Sequence, residues 1–125
     1  MAHILLIDDD PTVRSLLAAL IEAHGHTAVT ATDGRSGMKM FQMGSIDLVV
    51  TDIVMPDQEG IATIGAIRRL SRSIPILAIS GSGTVGGPGD YLHAAQALGA
   101  TSTLKKPLDS TEFVEVIERL LAGSI

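Results

Sequence analysis

With 125 residues and a hydrophobic fraction of 46%, the chain carries one domain's worth of core and falls outside the disordered class. No cysteine is present, which excludes disulfides, thiolate metal sites and cysteine nucleophiles. A net charge of −5, only three aromatics (Phe41, Tyr91, Phe113) and no membrane-length apolar run point to a soluble, cytoplasmic domain with neither nucleic acid nor membrane as partner.

Residues 3–8 (HILLID) are a short, nearly continuous apolar run, the pattern of a strand buried on both faces. Asp10 then reads as an N-cap, with Pro11 at the first helical position. Val13, Leu16, Leu17, Leu20 and Ile21 share one face of the helix that follows, which Gly25 should end. Residues 27–31 (TAVTA) predict a second, weaker strand, and residues 33–44 a weak helix with Met38 and Phe41 inward. A third strand follows at 46–52 (IDLVVTD), apolar until its last two positions. A turn-rich loop then leads into a helix through Ile61, Ile64, Ile67 and Leu70. Residues 74–80 (IPILAIS) predict a fourth strand, followed by a glycine-rich segment at 81–89 and a helix over about 90–98. Residues 101–105 predict a short fifth strand. Asp109 with Glu112 three residues on has the form of a capping box, and Phe113, Ile117 and Leu120 carry the last helix inward. Five strand–helix units in alternation argue a parallel sheet with helices on both faces, one domain over residues 1–125.

Ligands of such folds bind beyond the carboxyl ends of the strands, where strand order reverses. Strand one ends in Asp8-Asp9-Asp10, strand three in Asp52, strand four in Ser80 and strand five in Lys105-Lys106. Asp8, Asp9 and Asp52 at one edge repel one another, and carboxylates in a half-buried cleft resist ionisation. A hard divalent cation such as Mg²⁺ relieves that conflict and keeps water positions for a phosphate oxygen. The Ser80 hydroxyl and a lysine ammonium suit further phosphoryl oxygens. The set fits the stabilisation of phosphoryl charge. With no cysteine and no Ser–His pair, the available nucleophile is a carboxylate.

Other polar residues take plainer readings. Asp10 is a helix cap and Asp57 a turn residue. The four histidines (His3, His24, His26, His93) are structural, with His24 and His26 flanking Gly25 at a helix end. Met38, Met40 and Met43 read as core filler. Two alternatives compete for the function. Gly81-Ser82-Gly83-Thr84-Val85-Gly86 matches G-x-G-x-x-G after a strand, as in a nucleotide-binding module, but Gly87-Pro88-Gly89 delays the helix that would meet a pyrophosphate. Asp8-Asp9-Asp10-Pro11-Thr12 fits the D-x-D-x-T opening of haloacid-dehalogenase-like phosphatases, with Asp8 as nucleophile, but that reading leaves Asp52 unexplained.

Taken in order, the strand-end residues resemble the receiver domain of two-component response regulators. The resemblance covers all 125 residues and rests on the pair Asp8-Asp9, Asp52 in Thr-Asp-Ile-Val-Met-Pro, Ser80, and Lys106 before Pro107. It implies a doubly wound, flavodoxin-like α/β fold with five parallel strands in the order 2-1-3-4-5. It implies that Asp52 takes a phosphoryl group from the phosphohistidine of a histidine kinase or phosphotransfer protein. Asp9, Asp52 and the Val54 backbone carbonyl would hold Mg²⁺ or Mn²⁺, with Asp8 acting through water. Ser80 and Lys106 would contact the phosphoryl group, Pro107 would follow a cis peptide, and Lys105 would be a solvated neighbour. A stand-alone regulator, a phosphorelay shuttle or a receiver excised from a longer protein is expected, monomeric or weakly dimeric, with a downstream protein target and no enzymatic activity beyond self-phosphorylation and autodephosphorylation. Its readout face would be the fourth helix, fifth strand and last helix. The fifth-strand switch position, aromatic in most of the family, is Thr103 here. An aromatic flip therefore cannot be the readout, and ordering of residues 81–89 is expected in its place.

Overall fold

The computed structural model describes residues 1–53, 59–80, 95–96 and 98–123. Within them the chain runs β1 (His3–Ile7), α1 (Pro11–Ala23), β2 (Thr27–Ala31), α2 (Gly34–Gln42), β3 (Leu48–Asp52), α3 (Glu59–Leu70), β4 (Ile76–Ser80), β5 (Ser102–Lys105) and α4 (Ser110–Leu121). Of the helix expected near 90–98, residues 95, 96 and 98 are helical. Its remainder and the glycine-rich segment lie outside the described residues.

All five strands are parallel, in the order β2-β1-β3-β4-β5. This is the flavodoxin-like, doubly wound α/β sheet. Its three central strands are apolar at nearly every position because both of their faces are covered. Successive side chains point to opposite faces. Ile4 and Leu6 therefore join Leu17, Ile21, Phe113 and Ile117 of α1 and α4 in one core, while Leu5 and Ile7 join Ile64 and Ile67 of α3 in a second. The edge strands β2 and β5 are more exposed.

Strand order reverses beside β1. The chain leaves β1 through α1 to reach β2 on one side, then returns through α2 to β3 on the other. The carboxyl ends of β1 and β3 are left side by side with their crossovers diverging. Because Ile7 pairs with Thr51, the next residues, Asp8 and Asp52, become neighbours. Aspartates also start three helices: Asp10 accepts from the Thr12 and Val13 N–H groups, Asp33 from Ser36, and Asp109 from Thr111 and Glu112. Each such cap is worth about 1 kcal/mol.

Several details depart from the sequence pattern. β4 starts at Ile76 rather than 74, since Pro75 has no N–H for the ladder. β3 starts at Leu48, because the Asp47 carboxylate turns back to accept the His3 N–H at 2.8 Å. Leu16 and Leu70 are exposed. Leu16 sits about 100° around the helix from Leu17 and clears the sheet, and Leu70 is the last residue of its helix. Met40 and Met43 are exposed too, so they are not core filler, whereas Met38 and Phe41 pack against the second core. His26 joins three elements. Its Nδ1 accepts the Ala2 N–H at 3.1 Å, so Nε2 carries the proton and donates to Glu118 Oε1 at 2.7 Å. Arg68 of α3 donates to the carbonyls of Gly99, Ser71 and Ile74 and to the Thr101 hydroxyl.

Two glycines of α3 differ in their surroundings. A Cβ on Gly60 would lie 2.5 Å from Ile53 Cα and overlap the Asp52 carbonyl oxygen, whereas at Gly65 it would meet open space. Gly60→Ala is expected to destabilise the fold by about 1–3 kcal/mol. Gly65→Ala should stabilise it by about 0.5–1 kcal/mol. Urea unfolding of the two variants measures both effects.

Candidate functional site

The site is built at the carboxyl edge of β1, β3, β4 and β5. Asp8 follows β1 and is 1% exposed. Its N–H donates to the Ala31 carbonyl at 3.1 Å, extending the ladder by one step. Its Oδ1 accepts the Asp10 N–H at 2.9 Å, and its carbonyl accepts from the Arg14 guanidinium at 2.8 Å. Asp52 ends β3 and is 4% exposed. Asp9 points to the exposed side, and one carboxylate oxygen from each of Asp8, Asp9 and Asp52 lies within 4.8 Å of the others.

Lys106 enters from the far side of the sheet. Its backbone N–H donates to the Ser80 carbonyl at 2.8 Å, which fixes the start of its side chain beside β4. Its ammonium then donates to Asp52 Oδ2 at 2.8 Å and forms an ion pair with Asp8 Oδ2 at 3.5 Å. The peptide from Lys106 to Pro107 is cis. Ser80 is fully buried at the end of β4, Lys105 is exposed, and Thr103 lies half-buried in β5 opposite Ala78. Among the described residues, no buried side-chain polar atom lacks a partner.

The charges explain the protonation behaviour. Burial raises the Asp8 carboxyl above the ordinary aspartate value, and the nearby Asp52 charge adds to this; the Asp10 N–H and Lys106 only partly compensate. For Lys106, burial alone would favour loss of the proton. Its hydrogen bond to Asp52 and the charges of Asp52 and Asp8 outweigh that, and the ammonium is held above its usual range. Three carboxylates thus face one ammonium. The donor set is three hard oxygens on two adjacent strand ends, one of them open to solvent, and it fits a hard divalent cation.

The structure therefore brings together Asp8, Asp9, Asp52 and Lys106, with Ser80 on the neighbouring strand. Val54, Asp57 and residues 81–86 lie outside the described residues. Sequence reading missed Arg14: its acceptor is a backbone carbonyl, which leaves no trace in residue type. Only its place one and a half turns beyond the acidic pair, on the same helix that Asp10 caps, offered a hint.

A parallel sheet with an acidic switch point and a lysine opposite defines a doubly wound α/β module with its charged residues gathered at the carboxyl edge. The family model for the response regulator receiver domain matches residues 4–118, and the chain belongs to that family, the receivers of two-component signalling. PilH of Pseudomonas aeruginosa is 33% identical over 128 residues, covering 98% of this chain and 100% of PilH. The transcriptional regulatory protein GlrR of Escherichia coli is 30% identical over 123 residues, but the chain spans only 27% of GlrR's length. A receiver domain structure from Clostridium thermocellum superposes with a TM-score of 0.88 at 27% identity, covering 98% of this chain and 96% of the other. The family implies a phosphoacceptor signalling function, and receiver domains as a class interact with histidine kinases. The receiver family is not one of catalytic enzymes beyond self-phosphorylation. Among the described residues, no helix is long and apolar enough to cross a membrane.

The Asp8 environment sets a pH dependence. Asp8 binds its proton more tightly in the folded state, so its ionisation costs stability as pH rises from the ordinary carboxylate range through the folded value. Lys106 acts the other way: its stabilisation is complete below the ordinary lysine value and is lost only as pH rises through its raised folded value. Near neutral pH the Asp8 cost is present and the Lys106 gain is intact. Asp8→Asn should therefore raise the thermal midpoint of the metal-free protein at neutral pH. That gain should vanish well below the carboxylate range, at about pH 2–3, where Asp8 is protonated in either state. Melting curves of both proteins at the two pH values check this.

Proposed function

We propose that Asp52 is the phosphoacceptor, taking a phosphoryl group from the phosphohistidine of a histidine kinase or phosphotransfer protein. One observation carries the reading: the Asp52 carboxylate lies 2.8 Å from the Lys106 ammonium and within 4.8 Å of the Asp8 and Asp9 carboxylates. An oxygen of Asp52 attacks phosphorus as the bond from phosphorus to the imidazole nitrogen breaks, and the imidazole leaves with that electron pair. Asp9, Asp52 and the Val54 carbonyl would hold Mg²⁺ or Mn²⁺, with Asp8 acting through water. When bound, the ion neutralises charge on the phosphoryl oxygens. Lys106, already paired with Asp52, exchanges this partner for a phosphoryl oxygen, and the Ser80 hydroxyl donates to another.

The new group adds about 1.5–2 negative charges and three acceptor oxygens at the sheet edge. Ser80 and Lys106 are the residues that respond, since both lie at strand ends next to Asp52. With threonine at position 103, the response runs through the backbone that follows β4 and through the face of β5 and α4, not through a rotating ring. Residues 1–125 act as one cytoplasmic receiver domain, monomeric or weakly dimeric, that reports to a downstream protein.

Incubation with a small phosphodonor and Mg²⁺, followed by intact-mass measurement, tests the assignment. One acid-stable, alkali-labile phosphoryl adduct is expected on the wild type and on Asp8→Asn, and none on Asp52→Asn. Loss of the adduct in Asp8→Asn alone, with steady release of phosphate from small esters, would instead support the phosphatase reading. Mg²⁺ at tenfold its dissociation constant should also stabilise the wild type by about 1.4 kcal/mol in thermal melts, and Asp9→Asn should abolish that gain.

A further inference from the structure

The Arg14 guanidinium donates through Nη1 to the Asp8 carbonyl at 2.8 Å. That carbonyl belongs to the peptide linking Asp8 to Asp9, so the bond fixes the plane of the link between two of the three cluster carboxylates. Two more contacts hold the same turn: the Asp8 N–H to the Ala31 carbonyl, and the Asp10 N–H to Asp8 Oδ1. Both act on Asp8 or on the residue beyond the turn. Asp9 is exposed, and no hydrogen bond to a described residue holds its carboxylate. Its direction is therefore set by its backbone; Asp10 caps α1 on one side of it, and Arg14 is the side chain that ties the peptide between Asp8 and Asp9 to the same helix.

We propose that Arg14 is a positioning residue of the cation site, keeping the Asp9 carboxylate within range of Asp8 and Asp52 by holding the peptide between Asp8 and Asp9. The proposal rests on reading the acidic cluster as a divalent-cation site. Groups that orient metal ligands are commonly worth a large factor in affinity. The sign of the effect separates this role from the alternatives. A guanidinium next to a cation site repels the cation, so its charge alone opposes binding. Removing it should tighten binding if charge is all it contributes, and leave binding unchanged if it merely ties a helix to a strand.

Isothermal calorimetry with MgCl₂ on the whole chain decides the matter, with thermal midpoints of the metal-free proteins measured alongside. Arg14→Met is expected to weaken Mg²⁺ binding about 10-fold. Arg14→Lys, which keeps the charge and one donor, should recover most of the affinity. If Arg14→Met does not fold, the shorter neutral Arg14→Gln serves the same comparison and must also weaken binding. Wild-type affinity or tighter binding in the neutral variant overturns the proposal alone. Failure of the wild type to bind Mg²⁺ overturns the cation-site reading and the proposal with it.

Discussion

Three carboxylates held together on a rigid support set the terms for everything at the carboxyl edge. The support is the β1–β3 ladder, buried on both faces, whose register places Ile7 beside Thr51 and so Asp8 beside Asp52. A flexible loop would relieve the repulsion by splaying its acids apart. A strand fixed between two hydrophobic cores cannot, because a shift of one residue would turn every side chain to the wrong face. The repulsion is therefore retained as a standing demand for positive charge. Lys106 answers part of it, and the excess negative charge suits a hard divalent cation, which in turn could offset the charge of a phosphoryl group.

The same constraint accounts for the unequal protonation behaviour of the cluster. Asp8 is enclosed and carries a desolvation cost, whereas Asp9 lies exposed to solvent. Lys106 is stabilised as an ammonium by the repulsion that burdens the acids. A receiver needs an edge that is costly when unmodified, since only then can a small covalent change alter the balance of the groups around it.

Much of this was legible in the residues. Apolar runs bounded by turns marked β1, β3 and β4, and Asp10 and Asp109 announced the starts of their helices. The acids, serine and lysine stood at strand ends, where a doubly wound sheet collects its ligands. What escaped notice shares a physical cause. The Arg14 contact and three of the four Arg68 contacts end on backbone carbonyls, which every residue possesses, so sequence carries no mark of them. The pairing of His26 with Glu118 spans 92 positions, beyond any local pattern. Leu16 was misjudged because periodicity defines the centre of an apolar stripe better than its width, and only the curvature of the sheet decides which flank is covered.

The rim farthest from the acids depends on a single forked side chain. Arg68 gathers the end of α3, the turn before β4 and the approach to β5 by donating to three carbonyls and a hydroxyl. A lysine would bring the same charge on one nitrogen and could not span such separated acceptors. Exchange between the two basic residues, benign over most protein surfaces, is for that reason a loss of architecture at this spot. Tolerance there is decided by the number and direction of N–H bonds, and charge is almost incidental.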